Sequence, residues 1–201
     1  MLELIPLNCL VFTSDELEDF DCEHKQINKY FKIEAVDKDL ANTAKTFVLR
    51  NSEDIVGFYT LTVGNLDVED IETQTLIKRP VINLSYFAIN KKYQRKGYGS
   101  LLMQEIFRSV SVISYYTGVE LIYLESVDDS VEFYESLGFQ LINTNLRPEN
   151  YKVATDEISF PMYITISTLL AQGYIGYLKN FENINISEEF LFQKSWRFQT
   201  P

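Results

Sequence analysis

The stretch Tyr93-Gln94-Arg95-Lys96-Gly97-Tyr98-Gly99-Ser100 constrains the fold most, because it stands between patterns of different period. Before it, residues 81–89 form an apolar, β-prone segment. After it, Leu101, Leu102, Ile106, Phe107 and Val110 recur at helical spacing over 97–114. A strand that turns through glycines into a helix leaves the first helical amides without intrahelical partners, and the helix dipole favours an anion beside them. Gly97 and Gly99 permit close backbone approach while Arg95 and Lys96 add charge, so the turn suits a pyrophosphate. Taken alone, the Gly-x-Gly spacing fits an ordinary basic left-handed turn equally well.

The remaining periodicities order the chain around that turn. Residues 20–40 carry Ile27, Tyr30, Phe31 and Ile33 among charges, predicting an amphipathic helix with Asp21 as N-cap. The β-rich runs 45–50 and 55–63, joined by Asn51, Ser52, Glu53 and Asp54, predict a hairpin. Residues 65–80 are polar and end at Arg79-Pro80, which predicts a connection before the strand 81–89. A strand at 120–125 and a short helix at 128–137 follow, with Gly138 as left-handed C-cap. Strands at 139–143 and 158–167 and a helix over 169–179 complete the pattern.

A chain of 201 residues suits one domain, expected over 1–201 with its core at 20–168 and an extension at 169–201. An apolar share of 46% supplies enough burial to offset chain ordering. No apolar stretch approaches the ~18 residues of a membrane span. The acidic start (Glu3, Asp15, Glu16, Glu18, Asp19) is unlike a signal peptide, so a cytoplasmic protein without membrane contact is expected. Cys9 and Cys22 lack metal-ligand spacing and His24 has no catalytic companion nearby, which predicts no metal site. A net charge of -11 opposes phosphate backbones over most of the surface. Two local basic groups, Lys25, Lys29 and Lys32, and Lys91, Lys92, Arg95 and Lys96, are candidate RNA contacts or plain solvated faces.

The pattern Gln94-x-x-Gly97-x-Gly99 after an apolar strand resembles the coenzyme A pyrophosphate loop of GNAT acetyltransferases. Phe133-Tyr134-Glu135-Ser136-Leu137-Gly138-Phe139 resembles the Phe-Tyr-x-x-x-Gly-Phe motif of the same superfamily, and the two motifs together span 81–142. The resemblance implies a mixed α/β GNAT fold: a twisted, mostly antiparallel sheet, splayed between the strands 82–89 and 120–125. It implies acetyl-coenzyme A as cosubstrate, held by the main chain of Phe87, Ala88 and Ile89 along the pantetheine arm. Gln94, Arg95, Lys96, Gly97, Tyr98, Gly99 and Ser100 would hold the pyrophosphate, and Tyr134 would protonate the departing thiolate. Two departures stand out. Many GNAT proteins carry Asn where this chain has Val127, and the strand 82–89 lacks the Glu that some members use as general base. Glu125 is the nearest carboxylate, while Ser85 or Tyr86 could only position a water. A site without a strong base suits an α-amine of pKa near ~7.7 better than a lysine amine near ~10.4.

The segment from Phe20, Asp21, Cys22 and Glu23 to Leu40, with Phe47, Val48, Leu49 and residues 56–61, resembles GNAT-type toxins of bacterial toxin-antitoxin pairs. That resemblance implies acetylation of the α-amine of aminoacyl-tRNA, an antitoxin partner and a homodimer, with the apolar segment 163–177 as a candidate interface. Three readings stay open: a toxin-like aminoacyl-tRNA acetyltransferase, an acetyltransferase for a small amine or protein amino group, and a non-catalytic acyl-coenzyme A binding module.

Overall fold

The computed structural model describes residues 2–9, 14–69, 75–143 and 159–174. Its strands are β1 (Glu3–Pro6), β2 (Lys45–Arg50), β3 (Ile55–Glu69), β4 (Leu76–Ile89), β5 (Leu121–Ser126), β6 (Gln140–Leu141) and β7 (Phe160–Thr165). They form one sheet in the order β1-β2-β3-β4-β5-β7-β6, antiparallel throughout except where β4 meets β5. The mixed α/β sheet thus has the mostly antiparallel character that the sequence predicts.

Helices cover both faces. On one lies α4 (Tyr98–Tyr116), whose Leu102, Met103, Ile106, Phe107 and Val110 join Ile82, Leu84, Ile122, Leu124, Met162 and Ile164 in the larger core. On the other, α2 (Lys25–Lys29), a π-helical turn (Tyr30–Glu34) and α3 (Ala35–Leu40) follow one another. This second face buries Phe20, Tyr30 and Phe31 against Val48, Phe58 and Ala88, with Phe31 stacked on Phe58 at 4.2 Å. Short helices α1 (Ser14–Glu18), α5 (Val131–Ser136) and α6 (Ile166–Leu169) complete the described helical elements. No helix among the described residues is long and apolar enough to cross a membrane.

Several expectations need correction. His24, not Asp21, caps α2, its side chain accepting from Ile27 N–H at 3.5 Å. Asp21 is engaged otherwise, accepting from Glu23 N–H at 2.8 Å and from Asn28 Nδ2 at 2.7 Å. The polar segment 65–80 is no loose connection: β3 and β4 pair from Asn65↔Pro80 to Glu69↔Leu76, with Asp67 opposite Lys78. An uncovered two-stranded arm needs no apolar face, so its composition reads as loop although opposite charges across the ladder support pairing. The strand β1 was not expected. The final strand stops at Thr165, whose side chain accepts from Thr168 N–H at 3.2 Å and starts α6 where the sequence suggested a strand to 167. The helical path continues as a π-helical turn (Leu170–Tyr174), and the rest of the predicted 169–179 helix lies outside the described residues.

Phe107 sits at the centre of the larger core, 2% exposed and in ring contact with Phe139 and Tyr174. Phe107→Ala should lower the unfolding free energy by about 3–5 kcal/mol in denaturant titration, through lost burial plus a cavity that the sheet prevents from collapsing.

Candidate active site

The site begins where the sheet divides. Strands β4 and β5 pair from Val81↔Leu121 to Leu84↔Leu124, and no further. At that point Thr60 pairs with Tyr86 while Leu61 pairs with Leu84, so Ser85 is an extra residue in β4. Such a bulge bends a strand and sharpens its twist. It also resets the alternation: Phe87 and Ile89 join Leu84 on the α4 face, whereas Tyr86 and Ala88 turn to the α2 face. From Tyr86 to Ile89, β4 pairs with β3 alone, so its other edge carries no strand among the described residues. The predicted splay is therefore present, and main-chain groups of Phe87, Ala88 and Ile89 lie along it.

The turn after β4 is braced from three directions. Asn90 Oδ1 accepts from Lys92 N–H at 3.1 Å, opening a 3₁₀ turn (Lys91–Tyr93). Tyr93 donates its hydroxyl to Asp54 at 2.7 Å and accepts from Asn51 Nδ2 at 3.1 Å, tying the turn to the β2–β3 hairpin. Gln94 Nε2 donates to the Ile89 carbonyl at 3.1 Å and to the Cys22 carbonyl at 3.3 Å, tying it to β4 and to the entry of α2. Arg95 and Gly97 then take left-handed conformations, with φ of 59° and 86°. The first bond of α4 runs from Leu101 N–H to the Gly97 carbonyl at 3.1 Å, which leaves the amides of Tyr98, Gly99 and Ser100 outside the helical ladder. A Cβ on Gly99 would stand 3.4 Å from Phe133 Cζ, whereas one on Gly97 would meet open space.

Most basic groups near the turn are neutralised within the molecule. Lys91 pairs with Asp21 at 2.7 Å and Lys92 with Asp54 at 2.9 Å. The Lys91 contact holds the Asp21 carboxyl far below the usual range, and the Tyr93 hydroxyl, then Lys92, lowers that of Asp54. Lys96 Nζ donates to the Lys92 carbonyl at 2.7 Å and lies 5.6 Å from the Tyr93 ring centroid. Lys32 reaches the Glu18 carbonyl at 2.6 Å. Of the two basic groups expected from sequence, Lys25, Lys29, Arg95 and Lys96 have no acidic partner among the described residues.

Across the parting stands Tyr134 on α5. It is 7% exposed, with ring contacts to Phe87 at 6.2 Å, Phe133 at 5.2 Å and Phe139 at 5.6 Å. Its carbonyl accepts from Leu137 and Phe139 N–H, and Gly138 makes the intervening left-handed turn with φ of 96°. The Tyr134 hydroxyl has no hydrogen-bond partner among the described residues, and burial pushes its pKa well above the ordinary tyrosine value. Phe133 bridges the two motifs, since it approaches Gly99 on one side and Phe87, at 6.1 Å between centroids, on the other. Val127 precedes the 3₁₀ turn (Asp128–Ser130) and makes no side-chain cap there.

The opposite face of the parting is polar. A cleft of about 440 Å³ is lined by Asn65, Asn83, Ser85, Tyr123 and Glu125, among others. Tyr123 donates its hydroxyl to Glu125 Oε1 at 3.1 Å, and Ser159 donates to Oε2 at 2.9 Å. Burial, then the Glu125 charge, pushes the Tyr123 phenol up to about 12. Ser85 shares a hydrogen bond with Thr62 at 2.9 Å, and Tyr86 is stacked on Tyr30 at 3.5 Å. Sequence reasoning passed over Ser159 and the Asp54–Tyr93 brace, whose partners lie 34 and 39 residues away in the chain, and over Tyr123, which reads as an ordinary strand residue two positions before Glu125. No group of three or more His, Cys, Asp or Glu among the described residues is placed to hold a metal ion.

A strand parted from its neighbour, a glycine turn leading into a helix and a buried tyrosine beside the gap thus meet at one site. Residues 42–141 match the acetyltransferase (GNAT) domain model, so the chain carries a GNAT domain over that span. Among solved structures, the chain is similar to a tyrosine-to-phenylalanine mutant of the toxin AtaT bound to the C-terminus of the antitoxin AtaR and acetyl-CoA. That alignment has a TM-score of 0.64 at 18% identity, over 85% of this chain and 98% of that one. AtaT complexed with acetyl-methionyl-tRNAfMet aligns at a TM-score of 0.66 and 19% identity, covering 86% of this chain and 99% of that one. A tyrosine-to-phenylalanine mutant of KacT gives 0.65 and 18%, over 85% and 98% of the respective chains. A search of curated proteins finds no significant sequence match.

Gly97→Val places a β-branched residue at a φ of 86°, a conformation that costs L-residues roughly 1–2 kcal/mol. The strained turn should bind coenzyme A about tenfold more weakly in calorimetry, and the melting temperature should fall by roughly 2–8 °C, the equivalent of that strain and no more, because the added side chain meets open space.

Proposed function

We propose that the protein transfers an acetyl group from acetyl-coenzyme A to a primary amine, and that the acceptor is the α-amine of an aminoacyl-tRNA. The observation that carries the first part is the free edge of β4 from Tyr86 to Ile89, flanked by the pyrophosphate-type turn at one end and by Tyr134 alongside. The residues present fit the cosubstrate. Amides of Tyr98, Gly99 and Ser100 lie outside the helical ladder, Arg95 has no acidic partner among the described residues, and the Gly97 side faces open space. The acceptor assignment is supported by the AtaT complexes with acetyl-CoA and with acetyl-methionyl-tRNAfMet, whose whole length this chain spans. The antitoxin in the AtaT complex supports an antitoxin partner here. We read the chain as one GNAT domain with its core over 20–168.

In this reading the main chain of Phe87, Ala88 and Ile89 pairs with the pantetheine arm, and amides near Ala88 and Ile89 polarise the thioester carbonyl. Gln94, Arg95, Lys96, Gly97, Tyr98, Gly99 and Ser100 form the pyrophosphate cradle. Tyr134 donates its proton to the departing sulfur. Burial raises the proton affinity of the phenol, which keeps it protonated and able to donate at neutral pH.

A second reading, an acceptor that is a small amine or a protein amino group, is favoured by one observation. The net charge of -11 opposes a phosphate backbone over most of the surface, and Lys91 and Lys92 are paired internally with Asp21 and Asp54.

Thiol release from acetyl-coenzyme A, measured with charged tRNA and with a panel of free amines, separates these readings from each other and from a non-catalytic binding module. Tyr134→Phe should lower turnover about 10²–10³-fold, as loss of a general acid does. It should leave the melting temperature unchanged, since the hydroxyl has no partner to strand among the described residues. Full turnover in this variant would remove Tyr134 from the mechanism.

The tyrosine also sets a pH expectation. Its folded pKa is raised above the unfolded value of about 10, so its proton is bound in both states below that pH and its contribution to stability is complete there. Above about pH 10 the unfolded chain ionises first and stability falls. Turnover should therefore show no alkaline loss attributable to Tyr134 up to about pH 10, measured by the same assay.

A further inference from the structure

We infer that the polar side of the sheet beyond the cleft is a stacking platform for unpaired nucleobases, with Tyr123 and Tyr163 as its two rings, and that it seats the single-stranded end of an RNA. The inference rests on the proposed aminoacyl-tRNA acceptor and deepens it by naming a surface, and a kind of contact, that can hold RNA on an acidic chain.

The ladder registers carry one row of side chains across four strands. Asn83 on β4 is level with Tyr123 on β5, Tyr123 with Tyr163 on β7, and Tyr163 with Gln140 on β6. Residues paired in a ladder point to the same face. Their chain neighbours Leu84, Ile122, Met162, Ile164 and Leu141 are buried in the larger core, so the whole row points to the other side. Three strand spacings make it about 14 Å long. The helical cluster packed on that side takes Tyr86 and Ala88 from β4 and nothing from β5, β6 or β7. Tyr123 and Tyr163 are half-exposed. Each hydroxyl donates to a side chain rooted in the same face, Tyr123 to Glu125 Oε1 at 3.1 Å and Tyr163 to Gln140 Oε1 at 3.2 Å. A phenol that reaches such a partner leans along the sheet and turns a ring face outward.

Ring faces flanked by amide side chains match the two parts of a base. The base plane stacks on the tyrosine, and Asn83 and Gln140 can donate to or accept from its edge. Stacking needs no positive charge and tolerates any base, since every base has a π-face. The row contains no lysine or arginine, and no cation among the described residues pairs with Glu125 beside it. Phosphates are therefore best placed outward, in solvent. A duplex hides its base planes and offers mainly phosphates, so the platform selects single strands. The row is also continuous with the candidate active site, because Asn83 and Tyr123 line the cleft with Ser85 and Glu125. A strand laid along it with its last residue at Asn83 sets the group that residue carries beside the free edge of β4, with the preceding bases over Tyr123 and Tyr163.

The test uses the intact protein, wild type, Tyr163→Leu and Tyr163→Phe, with oligoadenylate RNA alone or annealed to oligouridylate. Melting temperatures matching wild type verify that both variants fold. Fluorescence anisotropy should show the wild type binding the single strand in preference to the duplex. Tyr163→Leu should bind the single strand about tenfold more weakly, as loss of one stacking ring does. Tyr163→Phe keeps the ring and loses only the bond to Gln140, so it should retain wild-type affinity. Raising salt from ~50 to ~200 mM should weaken binding by no more than about threefold, because few phosphates are neutralised. In the thiol-release assay, Tyr163→Leu should raise KM for charged tRNA about tenfold and leave turnover of methioninamide unchanged. No binding of oligoadenylate to the wild type, equal affinity in Tyr163→Leu, equal binding of the duplex, or tighter binding of a neutral oligosaccharide such as cellohexaose would each overturn the inference. If charged tRNA is turned over and its KM is unmoved by Tyr163→Leu, the platform fails and the acceptor reading stands. If oligoadenylate binds through Tyr163 but charged tRNA is not turned over, the acceptor reading fails and the platform stands.

Discussion

At Leu84 the sheet stops being continuous, and most of what this protein can do depends on that break. A parallel ladder between β4 and β5 would ordinarily run on, since both strands continue past Leu84 and Leu124. Two competing sets of bonds prevent it. The extra residue Ser85 is held toward β3 by its hydroxyl bond to Thr62 at 2.9 Å, and β4 follows β3 through Gly57↔Ile89. Meanwhile β5 follows β7, through Glu125↔Pro161 and Ser126↔Phe160. Each strand keeps one partner and loses the other, so the gap costs hydrogen bonds on only one edge of each. A ligand carrying amide groups can restore them, which turns an incomplete ladder into a binding site.

What keeps the gap from closing is packing on the α4 face. Phe87 from β4, Phe133 and Tyr134 from α5, and the backbone of Gly99 meet there, and aromatic rings are too large to let the strands rejoin. At position 99 a Cβ would come into van der Waals contact with Phe133, so the glycine leaves the start of α4 closely packed against that ring. The turn preceding α4 is fixed with equal care by Tyr93 and Gln94, which reach into the β2–β3 hairpin and the entry to α2. These bonds couple the two hydrophobic clusters, so the pyrophosphate-type turn is positioned by both halves of the molecule.

Elements that pack against a core were the ones legible in the sequence. Helix α4, the β2–β3 hairpin, β4, β5 and the Gly138 turn all carry periodic apolar residues or a glycine with a conformational demand, and they fall where those signals place them. The arm formed by Asn65–Glu69 against Leu76–Pro80 failed to register because both its faces meet solvent, and Asp21 drew the N-cap assignment because its acceptor chemistry is right although its bonds go to Glu23 and Asn28. Of the candidate site, the motif residues were legible by their spacing. Their surroundings were not: Lys91 and Lys92 read as free charge until the fold brought Asp21 and Asp54 to them, at separations of 70 and 38 residues.

The same long-range pairing bears on which acceptor the fold can favour. An acceptor amine must be uncharged to attack, and an α-amine gives up its proton to any given base more easily than a lysine side chain by about 2.7 pKa units, or roughly 4 kcal/mol. That difference favours an α-amine over a lysine side chain at a site where Glu125, beside the parted strands, is oriented by the neutral donors Tyr123 and Ser159 and by no cation among the described residues.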